Sequence, residues 1–317
     1  MSQMSTPEER ALEYDEFGFL ETYAKFEGIP WHGRPVVRRE SVSVDGIRLS
    51  GLVWGTESPQ LAFLHGSGQN AHTWDSVAMA LGRPLIAIDM PGHGHSDWRE
   101  DQDYRPATNA ATVRGWLNRL PPDPRVLVGM SLGGLTAIAV AAAAGSRFTH
   151  LVIVDITPGV GRRERPPERR PEGVVRLING QRTFDTFDEM LQATAALAPN
   201  RPVESLRPGV LHNSRQLADG RWSWRYDQAG MAAGMSARAT GVSPMEQLWD
   251  DLSRISVPVM LVRGGNSNVV APEDEAELLR RKPGARIEVV ERAGHSVQSD
   301  RASRLAELIT DFTGSAD

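Results

Sequence analysis

Residues 125–140 read "RVLVGMSLGGLTAIAV". A short apolar run, Val126 to Met130, has the length and residue types of a buried strand. An Ala-rich apolar run from Leu135 onward reads as a buried helix. Between them Gly129 to Gly133 spell G-x-S-x-G. A strand that turns sharply into a helix exposes the central serine above a sheet. Small residues must flank it because the backbones crowd there. Ser131 is thus placed as a nucleophile, at a helix N-terminus that favours negative charge. The pattern alone is a weak signal, and its strand-to-helix setting strengthens it.

The same alternation extends in both directions. Apolar strands are predicted at 61–65, 84–89, 125–130, 150–155, 257–262 and 285–291. Helical patterns are predicted around 73–81, 107–119, 132–144, 273–281 and 300–313. Near-continuous apolar strands alternating with helices predict an α/β fold with a mostly parallel sheet covered on both faces. Ahead of it, "RPVVRRESVSV" and "IRLSGLVW" flank Asp45-Gly46, the signal of an antiparallel hairpin at a sheet edge.

The alternation stops between Thr157 and Gln247. This stretch opens with "GVGRRERPPERRPEG", continues with the amphipathic "TFDEMLQATAALA", and holds a second hairpin signal at Asp219-Gly220. The expected organisation is an N-terminal arm at 1–35, a core at 36–157 and 247–317, and a mainly helical cap at 158–246. The arginines that open the cap read as a solvated loop, with a substrate anion as the alternative.

Composition narrows the function. The 317 residues carry a formal charge of -5, a balance that argues against nucleic-acid binding, which usually employs a basic face. There is no cysteine, which excludes disulfides, thiolate metal sites and a cysteine nucleophile. The start, "MSQMSTPEERALEYDEFGF", lacks a basic segment followed by an apolar one. The longest apolar run, Leu135 to Ala144, is about half a membrane span. A cytoplasmic protein with no membrane partner is expected. Oligomeric state is left open, a homodimer included.

Two more segments supply chemistry. "FLHGSGQNAHTW" (63–74) follows a strand, and its turn presents the Ser67 backbone N–H to an oxyanion. The Leu132 N–H is the second expected donor. His65 reads as a loop tie. "AGHSVQSD" (293–300) lies between the last strand and the last helix. His295 stands there at the sheet edge where ligands collect, suited to take and return the Ser131 proton. His93, His95, His72, His150 and His212 compete less well. Trp74, Trp98, Trp222 and Trp224 are candidates for an apolar pocket lining, though core or hairpin packing is the commoner fate of such residues.

"HGSG", "DMPGHGHS", "GMSLGG", "VDITPG" and "AGHSVQSD" stand in an order that resembles the α/β-hydrolase superfamily. The resemblance covers nearly the whole chain from about residue 38. It implies an eight-stranded sheet, a Ser–His–acid triad, a cap over the pocket, and a structural "DMPGHGHS" loop held by Asp89 and Ser96. The motifs do not specify a substrate.

One station departs from the pattern. The acid usually follows the penultimate strand, but the loop there reads "RGGNSNVVAP" (263–272), with Asn268 where an aspartate is expected. An amide orients an imidazole without balancing its charge. Asp155, ending "HLVIVD", is the expected substitute, since a minority branch that includes haloalkane dehalogenases draws its acid from this station. Glu273, Asp274 and Glu275 are alternatives that read as a helix start. So are an Asn268-assisted dyad and an aspartate removed by substitution.

The resulting expectation is a serine hydrolase acting on a small-molecule ester or lactone without cofactor or metal. C–C bond hydrolysis, perhydrolysis, acyl transfer and a non-catalytic ligand receptor stand as alternatives. A dehalogenase or epoxide hydrolase is disfavoured because each needs aspartate at position 131.

Overall fold

The computed structural model describes residues 14–120, 124–161, 180–198, 201–231 and 244–314. Most of the Arg-rich stretch that opens the expected cap lies outside them.

A hairpin begins the sheet. β1 (Val37–Val44) and β2 (Ile47–Trp54) pair antiparallel with Val44 opposite Ile47. The turn residues Asp45 and Gly46 have φ of 48° and 83°. Such left-handed geometry is the reason a two-residue hairpin selects Asp-Gly. Six strands follow: β3 (Leu61–Leu64), β4 (Leu85–Asp89), β5 (Val126–Met130), β6 (His150–Val154), β10 (Val259–Gly264) and β11 (Arg286–Val290). The eight are ordered β1-β2-β4-β3-β5-β6-β10-β11. β2 joins β4 antiparallel, and every later pairing in this sheet is parallel.

Alternation along the strands divides the core. Ala62 and Leu64 of β3, Ile86 and Ile88 of β4, and Leu151 and Ile153 of β6 face one layer. That layer holds α3 (Pro106–Leu117), α4 (Leu132–Ala144), α7 (Pro244–Arg254) and α8 (Pro272–Arg281). Leu61 and Phe63, Leu85 and Ala87, and Val152 and Val154 face the other. There lie α1 (Leu20–Glu27), α2 (Asp75–Leu81), α9 (Val297–Asp300) and α10 (Ala302–Thr313). Both faces are covered, which is why the central strands read as continuous apolar runs.

Between β6 and β10 the chain leaves the sheet. The described part of this insertion holds β7 (Thr183–Phe184), α5 (Phe187–Leu197), α6 (Val203–His212), β8 (Ser214–Gln216) and β9 (Trp222–Trp224). The three strands form a small antiparallel sheet of their own, with Asp219-Gly220 between β8 and β9. A separate apolar cluster of Phe187, Met190, Leu206, Trp222, Trp224 and Tyr226 holds it together. α7 then returns the chain to the core, burying Leu248, Trp249 and Leu252 among the residues of the first layer. No helix of the described residues is long and apolar enough to cross a membrane.

β3 is flanked by β4 on one side and β5 on the other, so successive connections leave in opposite directions. The crevice outside the carboxyl ends of β3 and β5 is therefore the switch point where open α/β sheets receive ligands. The segment with Ser67 follows β3, and Ser131 follows β5.

Candidate active site

Ser131 is the hinge between β5 and α4, with φ 52° and ψ −119°. A non-glycine residue there is strained, and strain of this kind persists only where the surroundings fix it. The surroundings are close. A Cβ at Gly129 would meet the Gly133 carbonyl oxygen at 2.2 Å, and a Cβ at Gly133 would meet the Leu64 carbonyl oxygen at 2.2 Å. The spacing G-x-S-x-G is thus a packing requirement of the turn. The Ser131 N–H donates to the Val154 carbonyl at 3.1 Å, tying the turn to β6.

His295 Nε2 lies 3.1 Å from Ser131 Oγ. His295 Nδ1 lies 2.8 Å from Asp155 Oδ2. The three side chains thus form one hydrogen-bonded chain across loops that follow β5, β6 and β11. Asp155 is fully buried while the imidazole is 20% exposed. Asp155 also has positive φ, 50°, which turns its side chain off the end of β6. Its Oδ1 accepts the Gly264 N–H at 2.9 Å, and its Oδ2 also accepts the Ser267 hydroxyl. On the other side Asp300 Oδ2 accepts the Gly294 N–H at 2.8 Å, bracing the loop that carries His295.

Asn268, at the station where the acid is expected, is exposed. The alternative carboxylates are engaged at a helix start. Asp274 accepts the Ala271 N–H at 3.0 Å, and Glu275 pairs with Arg263 at 2.8 Å. The competing histidines lie elsewhere in the fold. His93 and His95 are pushed down to about 3 by burial, so both are neutral. His150 lies at the far, amino-terminal end of β6.

The turn after β3 lies against the serine. A Cβ at Gly66 would meet the Met130 sulfur at 2.6 Å and the Ser131 Cβ at 3.2 Å. The Gly66 N–H donates to Gln69 Oε1 at 3.0 Å. Gln69 Nε2 stands 3.5 Å from the hydroxyl of Ser296, beside His295. Ser67 and Leu132 therefore belong to two segments that meet at Ser131. His65 is fully buried and ties loops, contacting the Gly66 carbonyl through Nδ1 and accepting the Met90 N–H through Nε2. The insertion reaches the same turn, for Asn213 donates to the Gly68 carbonyl at 2.5 Å.

The "DMPGHGHS" loop is structural. Asp89 accepts the backbone N–H groups of Ala71 and His95, and Ser96 donates to the Asp89 carbonyl. Arg39 pairs with Asp89 at 2.7 Å and, against the cost of burial, holds its carboxyl well below the usual range. From Arg39 the network continues through Glu16 and His72 to Asp75.

The tryptophan candidates fall in three different surroundings. Trp74 is fully buried in the core, 4.9 Å from Phe63. Trp222 and Trp224 are consumed by the apolar cluster of the insertion. Trp98 is 39% exposed and stacks under Arg215. Size and apolarity drew Trp74, Trp222 and Trp224 into packing, which sequence could not distinguish from lining. A cavity of about 200 Å³ does occur between α1 and α6, lined by Tyr23, Asn70, Arg201, His212 and Gln298 among others. None of the four tryptophans, nor Ser131 or His295, lines it.

One group of side chains among the described residues has ligand atoms near enough for a metal, namely His72, Asp75 and His212. Its geometry is that of a hydrogen-bonded stack. The imidazoles lie face to face, 3.7 Å apart and 9° from parallel, so their in-plane lone pairs do not converge. Both His72 nitrogens face carboxylates, Asp75 at 2.8 Å and Glu16 at 3.2 Å.

Sequence reasoning missed Ser267, Gly264 and Gln69. Ser267 was visible inside "GGNSNVV", one residue before the station under scrutiny, but only the folded loop aims it at Asp155.

An eight-stranded α/β sheet with a serine at the β5 turn and a histidine after β11 defines an α/β-hydrolase. Residues 61–308 match the alpha/beta hydrolase family, and the chain belongs to that family of enzymes. It is 46% identical to Esterase Rv0045c of Mycobacterium tuberculosis over 93% of this chain and 94% of that protein. A solved structure of that esterase superposes with a TM-score of 0.79 at 45% identity, covering 94% of this chain and 98% of the other. The chain is also 29% identical to a mouse sn-1-specific diacylglycerol lipase, ABHD11, over 80% of each. E-2-(acetamidomethylene)succinate hydrolase shares the fold, with a TM-score of 0.75 and 24% identity. The likeness to Rv0045c supports an esterase of this family.

Proposed function

We propose that this protein hydrolyses a carboxylic ester or lactone through an acyl-enzyme on Ser131. The observation that carries the reading is the unbroken chain from Asp155 through His295 to Ser131, at 2.8 and 3.1 Å. Those are the separations a nucleophile, a base and an orienting acid require.

In this mechanism Ser131 Oγ attacks the ester carbonyl carbon as its proton passes to His295 Nε2. The carbonyl oxygen becomes an oxyanion held by the Ser67 and Leu132 N–H groups. Collapse breaks the C–O bond, and His295 returns the proton to the leaving alcohol. A water then attacks the acyl carbon and gives its proton to His295; collapse breaks the bond to Ser131 Oγ, which takes the proton back from His295 as the acid leaves. Asp155 keeps the Nδ1 proton facing inward and balances the imidazolium. Residues 158–246 act as the cap, with the acyl or alcohol group bound between it and the core. The names of the relatives favour an ester over other acyl compounds.

The test is covalent labelling with a fluorophosphonate probe. Native protein should be labelled and turn over short-chain p-nitrophenyl esters. Ser131→Ala should lose both with its circular dichroism unchanged. Absence of labelling in the native protein would favour a ligand receptor of the same fold.

A further inference from the structure

We infer that Ser267 is the positioning residue of the acid. It holds Asp155 in register with His295 from the loop where the acid is ordinarily found. This rests on the triad reading proposed above.

Asp155 directly follows β6 and must reach a histidine that follows β11, two strands away across β10. Its carboxylate lies at the end of β10 and receives one donor from the last residue of that strand and one from the loop after it. The Gly264 N–H fixes Oδ1 at 2.9 Å. The Ser267 hydroxyl donates to Oδ2, the same oxygen that faces His295 Nδ1. Nothing is left to the rotation of that hydroxyl. The Val269 N–H donates to Ser267 Oγ at 3.2 Å, so the oxygen's acceptor side is taken and its proton points at Asp155. The carboxylate then has three donors in fixed directions. A side chain so held cannot swing away when charge develops on the imidazole, which is what an orienting acid must avoid.

The loop "GGNSNVV" thus still serves catalysis. It supplies the acid's support in place of the acid. Asn268, next in sequence, is exposed. The Ser267 hydroxyl reaches the triad through Asp155, so it acts through that carboxylate and should leave substrate binding alone.

Ser267→Ala tests this in the full chain with a p-nitrophenyl ester. kcat should fall roughly tenfold, the effect of one hydrogen bond to a charged group, with KM within about twofold of the native value. The pH profile adds a reading that packing alone would not move. With one donor gone, the Asp155 carboxylate presents more negative charge to its remaining partner. The acidic limb of the kcat/KM profile should shift upward by several tenths of a unit. Ser267→Thr, which keeps the hydroxyl, should recover most of kcat and the native limb. Native kcat with an unmoved limb in Ser267→Ala would overturn the assignment, as would a Thr variant no better than Ala. Fluorophosphonate labelling separates the failures. If native protein is labelled at Ser131 and Ser267→Ala behaves as native, only the role of Ser267 falls. If native protein is not labelled, the triad reading falls and takes this one with it.

Discussion

Asp155 and Asn268 make opposite claims at the residue scale. Asp155 is fully buried, carries positive φ and touches His295 Nδ1 at 2.8 Å. Asn268 is exposed on the neighbouring loop. Replacing Asp155 with Asn keeps the shape and removes the charge that balances the imidazolium. It also offers an amide that favours the wrong tautomer. Ester turnover by Asp155→Asn should drop at least about a hundredfold with the melting temperature little changed, since a comparable change costs about four orders of magnitude in a serine protease. A rate near native would remove Asp155 from the triad. Asn268→Asp is the companion variant. The Nδ1 partner is already present, so kcat should stay within about threefold of native. A large gain would mean that the usual station is functional and disabled by the amide.

At the scale of elements, the meeting of β3, β5 and α4 governs the site. α4 begins so close to the strands that Gly133 has the Leu64 carbonyl where a side chain would go. Gly133→Ala should therefore destabilise the protein by about 3 kcal/mol or more, because a backbone carbonyl cannot move aside as a side chain can. Soluble yield and melting temperature report it. A melting temperature within a degree of native would show that the helix start shifts freely. The strands here were legible in sequence because burial on both faces makes them uniformly apolar. The Asp-Gly hairpin was legible because its turn needs φ above zero. The insertion's apolar cluster was not, since Trp222 and Trp224 look alike whether they face a substrate or rings such as Phe187 and Tyr226.

Across the whole molecule, one buried ionic network joins three parts of the chain. Glu16 of the N-terminal segment, Arg39, His72, Asp75 and Asp89 of the core, and His212 of the insertion adjoin each other. Tyr14 Oη reaches His212 Nδ1 at 2.7 Å. Burial alone would lower the pKa of His72, but Asp75 and Glu16 hold it up at about 9. Burial opposes ionisation of Glu16 too, yet His72 and Arg39 hold it down at about 2. The His72 contribution to stability is therefore complete below its unfolded value of 6.5 and is lost as pH rises through about 9. The Glu16 contribution is complete above its unfolded value of 4.5 and is lost as pH falls through about 2. Melting temperatures of native protein and His72→Gln should differ most near pH 6, and the gap should close as pH approaches 10. A gap constant with pH would assign the loss to packing instead of charge.

The amino-acid sequence by itself determined the layered α/β sheet, the strained serine turn and the position of the histidine. Each rests on local chemistry: apolar period, small residues around a tight turn, and an element order that brings strand ends to one edge. Only the tertiary structure decided how the acid is held. Asp155, Ser267 and His295 lie on loops after three different strands. Their contact depends on β10 lying between β6 and β11, a pairing that no local pattern encodes. The same holds in part for the network around His72, whose charge is held both by Asp75, three positions on, and by Glu16, 56 positions back in the chain.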